Sequence, residues 1–217
     1  SPDSGVKLIQ VGGYAFKDLN RNGKLDLYED WRQEDEARAE DLAKVMNPNQ
    51  ISGLMVYAGG LNNNISGKLD ETQTAALDDD VRSMGASSPT YEIKDQAEWF
   101  NAMQTYVEGL GYGIPVMLAC DPRNSGWGIG LSHYPDNMAL AATFTPELAR
   151  EAMEQLSKEY RASGLGTLLG SQIDLATEPR WGRNSATFSE DPALARDMAN
   201  AAISGLQSTY DENGNDL

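Results

Sequence analysis

Apolar residues recur along this chain at two spacings, and the two alternate. Trp99, Met103, Tyr106 and Leu110 fall on one helical face, and Asp95 with Glu98 can form a capping box ahead of them. The apolar run Ile114–Cys120 then reads as a buried strand. Thr145-Pro146 starts a helix with Leu148, Ala152, Leu156 and Tyr160 spaced by four, and Gly164 ends it. The run Thr167–Ile173 predicts a second strand, and Asp191-Pro192 opens a helix bearing Leu194, Met198, Ala202 and Leu206 in line. Helices alternating with short apolar strands predict parallel β/α units, an α/β architecture. In such folds the loops after the strand carboxyl ends carry the chemistry. Polar residues follow both strands here: Asp121 after the first, Asp174 to Arg183 after the second.

The front of the chain is less regular. Val6 to Phe16 is short, apolar and broken by glycine, and a helix is expected from about Asp30 to Met46. A second short helix begins at Asn47-Pro48 and runs through Leu54. Residues 59–92 contain Asn62-Asn63-Asn64, Gly67 and Asp78-Asp79-Asp80, which predict a long surface excursion with little regular structure.

Between the opening segment and the first helix, residues 18–29 fit the EF-hand calcium-loop pattern. A hard cation needs six or seven oxygens. Asp18, Asn20 and Asn22 can give side-chain oxygens, Lys24 its backbone carbonyl, Asp26 a direct or water-borne oxygen, and Glu29 both of its oxygens. Gly23 stands where the loop must turn sharply, and Leu25 is the apolar anchor. The competing reading is an acidic turn that caps the following helix and holds no ion. A paired EF-hand is not expected, because no helix precedes the loop. The later acidic stretch Asp211–Asp216 lacks the closing glutamate, and it reads as a solvated loop.

Composition narrows the function classes. A net charge of −16 disfavours a phosphate backbone or an anionic membrane surface as partner, and suits a neutral substrate or a cation. An acidic surface solvated without any partner reads equally well. Cys120 is the only cysteine, so neither an intrachain disulfide nor a cysteine zinc cluster can form. It ends an apolar run and reads as a structural thiol.

The run Ile173-Asp174-Leu175-Ala176-Thr177-Glu178-Pro179-Arg180-Trp181-Gly182-Arg183, followed by Thr187-Phe188-Ser189-Glu190-Asp191-Pro192, resembles the signature of glycoside hydrolase family 3. Gly113-Ile114-Pro115-Val116 leading to Asp121-Pro122-Arg123 is similar to that family's earlier strand and its sugar-binding aspartate. Ser132-His133-Tyr134-Pro135, Leu140-Ala141-Ala142-Thr143 and Glu29-Asp30-Trp31-Arg32 extend the resemblance over nearly the whole chain. It implies the first half of a (β/α)8 TIM barrel over 47–217, preceded by a segment 1–46 carrying the EF-hand-like calcium loop. The implied activity is retaining, exo-acting hydrolysis of terminal β-linked sugars, foremost as a β-glucosidase, with a β-xylosidase as the nearest alternative.

A carboxylate accepts from sugar hydroxyls and a guanidinium donates to them, so Asp121 and Arg183 are the expected substrate-binding pair. The alternative for Arg183 is an ion pair with Glu190 or Asp191. Arg180 is assigned to structure, paired with a loop carboxylate, while Trp181 reads equally as a packing wedge or a sugar platform. His133 is expected to be packed and hydrogen-bonded, without a catalytic role. Thr177 and Ala186 replace residues common in the family, so the pocket should differ in detail.

The resemblance also implies that the nucleophile and the acid/base, set about 5 Å apart in retaining enzymes, lie beyond Leu217. A full barrel takes about 250 residues, so half a barrel is expected here, partnered by the downstream polypeptide of the same enzyme. A sugar-binding half-barrel without turnover, and a non-catalytic calcium-dependent module of dockerin type, are the readings from other classes. The single acidic loop argues against a dockerin, which uses two. The calcium loop favours an extracellular or periplasmic setting.

Overall fold

The structure is a computed structural model that describes residues 2–61, 68–86, 92–121 and 131–207. The acidic stretch 211–216 and the Pro122-Arg123 part of the family-like motif lie outside those residues. By compactness the chain forms two units, Ser1–Ser87 with Glu98–Leu118, and Ser88–Ala97 with Ala119–Leu217.

The first unit opens with an antiparallel hairpin, β1 (Lys7–Val11) and β2 (Tyr14–Asp18), in the register Lys7↔Asp18 to Val11↔Tyr14. Its two-residue turn, Gly12-Gly13, takes φ of +60° and +85°, a pair of angles that glycine adopts most readily. A short 3-10 turn, Leu27–Glu29, leads to α1 (Asp35–Val45). The helix starts later than the sequence suggests because Asp30 holds the chain in a local turn. Its carboxylate accepts from Arg32 N, Nε and Nη2 and from Gln33 Nε2 at 2.8–3.1 Å. Arg32 also lies over the rings of Tyr14 and Phe16, and Trp31 stacks on Phe16 at 5.7 Å. The hairpin is thereby fastened to residues 30–32.

Asn47 caps α2 (Pro48–Leu54), its side chain accepting from Asn49 N and Gln50 N. Next come β3 (Tyr57–Leu61), α3 (Glu71–Asp78), β4 (Ser83–Ala86) and most of α4 (Ile93–Glu108). Within the described part of the excursion expected at 59–92, α3 and the strands β3 and β4 are regular, and β3 and β4 run parallel. Leu77, Met84, Trp99 and Met103 form the core of this unit, each fully buried. Trp99 Nε1 donates to the buried Gln73 Oε1 at 3.2 Å. Buried Arg82 donates to the carbonyls of Leu77 and Ile114, joining the end of α3 to the approach of the next strand. α4 begins two residues before Asp95, so the expected capping box gives way to a start at Ile93.

β5 (Met117–Cys120) is shorter than the apolar run that predicts it. Pro115 has no N–H to give a ladder, and Val116 spends its N–H and C=O on the Gln104 side chain at 3.0 and 2.7 Å. In the second unit Leu169 N donates to Cys120 O at 2.8 Å, setting the end of β5 beside β6 (Leu165–Leu168). The unit is completed by α5 (Asn137–Ala141), α6 (Pro146–Ala162) and α7 (Pro192–Gln207). Ala152, Leu156 and Tyr160 of α6 and Met198 and Ala202 of α7 are buried, on the predicted faces. The two helices approach closely: Ser157 Oγ donates to Leu206 O at 2.8 Å. Among the described residues no helix is long and apolar enough to cross a membrane.

Candidate functional site

Both residues expected to bind substrate lie in the second unit, on loops that follow strands. Asp121 comes directly after β5 and is partly exposed. A Cβ placed on Gly170, two residues past β6, would lie 3.3 Å from Asp121 Oδ1. The carboxylate therefore rests against bare backbone, and the glycine keeps that side of it open. Gly170 is a residue that sequence reasoning missed, although a glycine just after an apolar strand marks close approach.

Arg183 lies on the 169–191 loop that joins β6 to α7. It is exposed and precedes a short 3-10 turn, Asn184–Ala186. Among the described residues no carboxylate pairs with it, so the alternative ion pair with Glu190 or Asp191 does not form. Asp191 is occupied otherwise, accepting from Ala193 N at 2.7 Å at the start of α7. The side chains of Asp121 and Arg183 make no hydrogen bond or ion pair with each other.

The loop is held by its own polar groups. Arg180 and Glu178 form a bidentate pair, both bonds 2.8 Å, and this pair holds the Glu178 carboxyl down to about 2. Arg180 is thus paired with a loop carboxylate, as the sequence suggests. Asn184 Nδ2 donates to Glu178 O, and Asn137 Nδ2 of α5 donates to Ala186 O at 2.8 Å. Phe188 and Thr187 are buried, which fixes the segment after Arg183. Asn137 is a second positioning residue that the sequence did not single out. Trp181 is half-buried.

His133 departs from expectation. It is exposed rather than packed, while its neighbour Ser132 is anchored by Glu159, which accepts from Ser132 N and Oγ at 2.7 and 2.6 Å. Cys120 is buried beneath Asp121, and desolvation followed by the Asp121 charge pushes its thiol up to about 12. It is held neutral, as a structural thiol should be.

The 18–29 loop belongs to the first unit. Its six candidate metal-binding residues are Asp18, Asn20, Asn22, Lys24, Asp26 and Glu29. Asp18 Oδ2 accepts from Gly23 N, Asn20 Oδ1 from Asn22 N, and Asn22 Oδ1 from Lys24 N, all at 2.8–3.1 Å. The Asn20 and Asn22 amides both donate to Asp26 Oδ2 at 2.6 Å. Glu29 is buried and accepts from Leu19 N, Asn20 N and Tyr28 OH on Oε1, and from Asp26 N on Oε2.

Comparison with known proteins gives this site its context. The profile described as "Glycosyl hydrolase family 3 N terminal domain" matches residues 22–213. A periplasmic β-glucosidase/β-xylosidase of Dickeya chrysanthemi is 36% identical over 94% of this chain and 33% of its own length. β-Glucosidase C of Emericella nidulans is 30% identical over 90% of this chain and 34% of its own. The chain thus spans about a third of these curated relatives. A β-glucosidase structure from Erythrobacter marinus superposes with a TM-score of 0.70 at 25% identity, covering 83% of this chain and 24% of that one. With a family profile matched from Asn22 to residue 213 and the loops carrying Asp121 and Arg183 inside that match, the chain belongs to glycosyl hydrolase family 3.

Proposed function

We propose that this chain is the first half of the catalytic barrel of a retaining, exo-acting β-glycosidase, in the first instance a β-glucosidase. Asp121 and Arg183 bind the terminal sugar in this reading. The observation that supports it most is that Asp121 and Arg183, oppositely charged and on loops after β5 and β6, form no ion pair among the described residues, inside a family match over residues 22–213. A carboxylate and a guanidinium are suited to accepting from and donating to vicinal hydroxyls. In this reading the nucleophile and acid/base lie outside residues 1–217, as the family resemblance implies, and the chain spans about a third of its relatives' length. The setting is periplasmic or extracellular, as the name of the Dickeya relative suggests.

A β-xylosidase is the second reading, favoured by the double name of that relative and by a putative β-xylosidase of Formosa agariphila that is 32% identical over 55% of this chain. The test is hydrolysis of aryl β-glucoside and aryl β-xyloside by the intact protein. Asp121→Ala should lower kcat/KM at least about 100-fold, since a charged hydrogen-bond partner is lost. Residues 1–217 alone should turn over neither substrate. Turnover by the isolated chain, or an Asp121→Ala variant with full kcat/KM, would refute the assignment.

A further inference from the structure

The sugar site leaves the 18–29 loop without a role, yet that loop contains an unresolved electrostatic problem. Asp18 is only 4% exposed. Its Oδ2 turns into the loop to accept from Gly23 N, and its Oδ1 is buried with no hydrogen-bond partner. A buried carboxylate oxygen left bare is costly, so native proteins almost always fill that position. Two more carboxylates, Asp26 and Glu29, share the loop. Among the described residues no cationic side chain pairs with any of the three. The nearest arginine in sequence turns away: Arg21 donates to Ser4 O and Gly109 O.

We infer that residues 18–29 form a calcium site anchored on Asp18 Oδ1, with oxygens of Asn20, Asn22, Lys24, Asp26 and Glu29 completing the shell. The donor set selects the ion. Among the described residues no group of three or more His, Cys, Asp or Glu is placed to hold a metal ion, so Asp18, Asp26 and Glu29 have to draw together as calcium binds. The site mixes carboxylates with amide and carbonyl oxygens, which suits a hard cation of high and flexible coordination rather than zinc. Asn20 Oδ1 and Asn22 Oδ1 each accept one backbone N–H and keep a lone pair for the ion. Glu29 contributes through Oε2 alone, because Oε1 already accepts from three donors. The ion supplies the missing partner of Asp18 Oδ1, offsets the three charges and ties β2 to the turn that enters α1.

Calorimetric titration of calcium into the chelator-treated intact protein should show one ion per chain and a higher Tm in calcium than in chelator. Magnesium at equal concentration should do neither. Terbium bound in the loop should luminesce on excitation of Tyr28, and calcium should quench it. Asp18→Asn should weaken calcium at least about tenfold, since one ligand charge is lost. Asn22→Ala, at an exposed position, should weaken calcium and lower the Tm in chelator far less than the Tm in calcium, which separates loss of a ligand from loss of the loop's own hydrogen bonds. No binding up to about 1 mM calcium, an equal response to magnesium, or unchanged affinity in both variants would overturn the site. The position beside Asp18 Oδ1 would then belong to water.

Discussion

Gly205 sets how closely α6 and α7 pack, and replacing it by alanine pits two opposite effects against each other. In a helix, glycine is less favourable than alanine by about 0.5–1 kcal/mol, so the substitution would stabilise an exposed site. Gly205 is buried, however, and a Cβ there would lie 2.4 Å from Arg150 O and 2.9 Å from Met153 Cβ. Neither atom is the end of a flexible chain; both belong to the framework of α6. Relief requires the helices to part by roughly 1 Å, and overpacking of this kind costs about 1–3 kcal/mol. Gly205 is also two residues from the end of α7, where the propensity gain is smallest. The clash should win, leaving Gly205→Ala about 1–2 kcal/mol less stable in urea unfolding. The separation would also strain the Ser157–Leu206 hydrogen bond. Gly166→Ala is the control, since a Cβ there meets nothing within 4 Å, and it should change stability by no more than about 0.5 kcal/mol. A Gly205→Ala protein as stable as the parent would show that the helices do not approach as described.

Two further outcomes follow from ionisable groups. Desolvation pushes the Glu108 carboxyl up, but hydrogen bonds from Lys17 at 2.5 Å and Ser4 at 2.7 Å overcome it and hold the group down at about 2. Its stabilisation is complete above the ordinary carboxylate value of 4.5 and is lost as pH falls from there through about 2. The full shift corresponds to about 3 kcal/mol by linkage; because Lys17 is half exposed, screening reduces that to about 1–2 kcal/mol. Glu108→Gln should therefore be less stable than the parent at pH 7, with the gap closing toward pH 2 in acid-unfolding curves. A gap that is constant with pH would refute the pairing. Cys120, with its thiol pushed up to about 12, should resist iodoacetamide at pH 8 in the native protein and react on unfolding; rapid native alkylation would contradict its burial.

The parts of the molecule legible in the sequence are those whose stabilising partners are local and apolar. α6 and α7 show their buried faces at a spacing of four, and Asn47-Pro48 and Asp191-Pro192 mark helix starts through caps a few residues long. α3 escaped because its inward face carries a polar residue. Gln73 is buried through its bond to Trp99, 26 positions away, and no local pattern contains that partner. One local signal was present nonetheless: Asp70 and Gln73 form a reciprocal capping box, with bonds of 2.8 and 3.1 Å.

The candidate site divides the same way. Asp121 and Arg183 stand out because charged residues follow apolar strands, whereas Gly170 and Asn137 act by leaving room for, or anchoring, backbone distant in sequence. His133 shows the converse error: a lone histidine inside a recognisable motif suggests packing, but the motif's anchor is Ser132, bonded twice to Glu159. A motif thus locates a segment in the fold, while the roles of its side chains depend on partners that only the folded chain brings within reach. Among the described residues neither Asp121 nor Arg183 has an ion-pair partner, and side chains left free in this way are what a binding site needs before its ligand arrives.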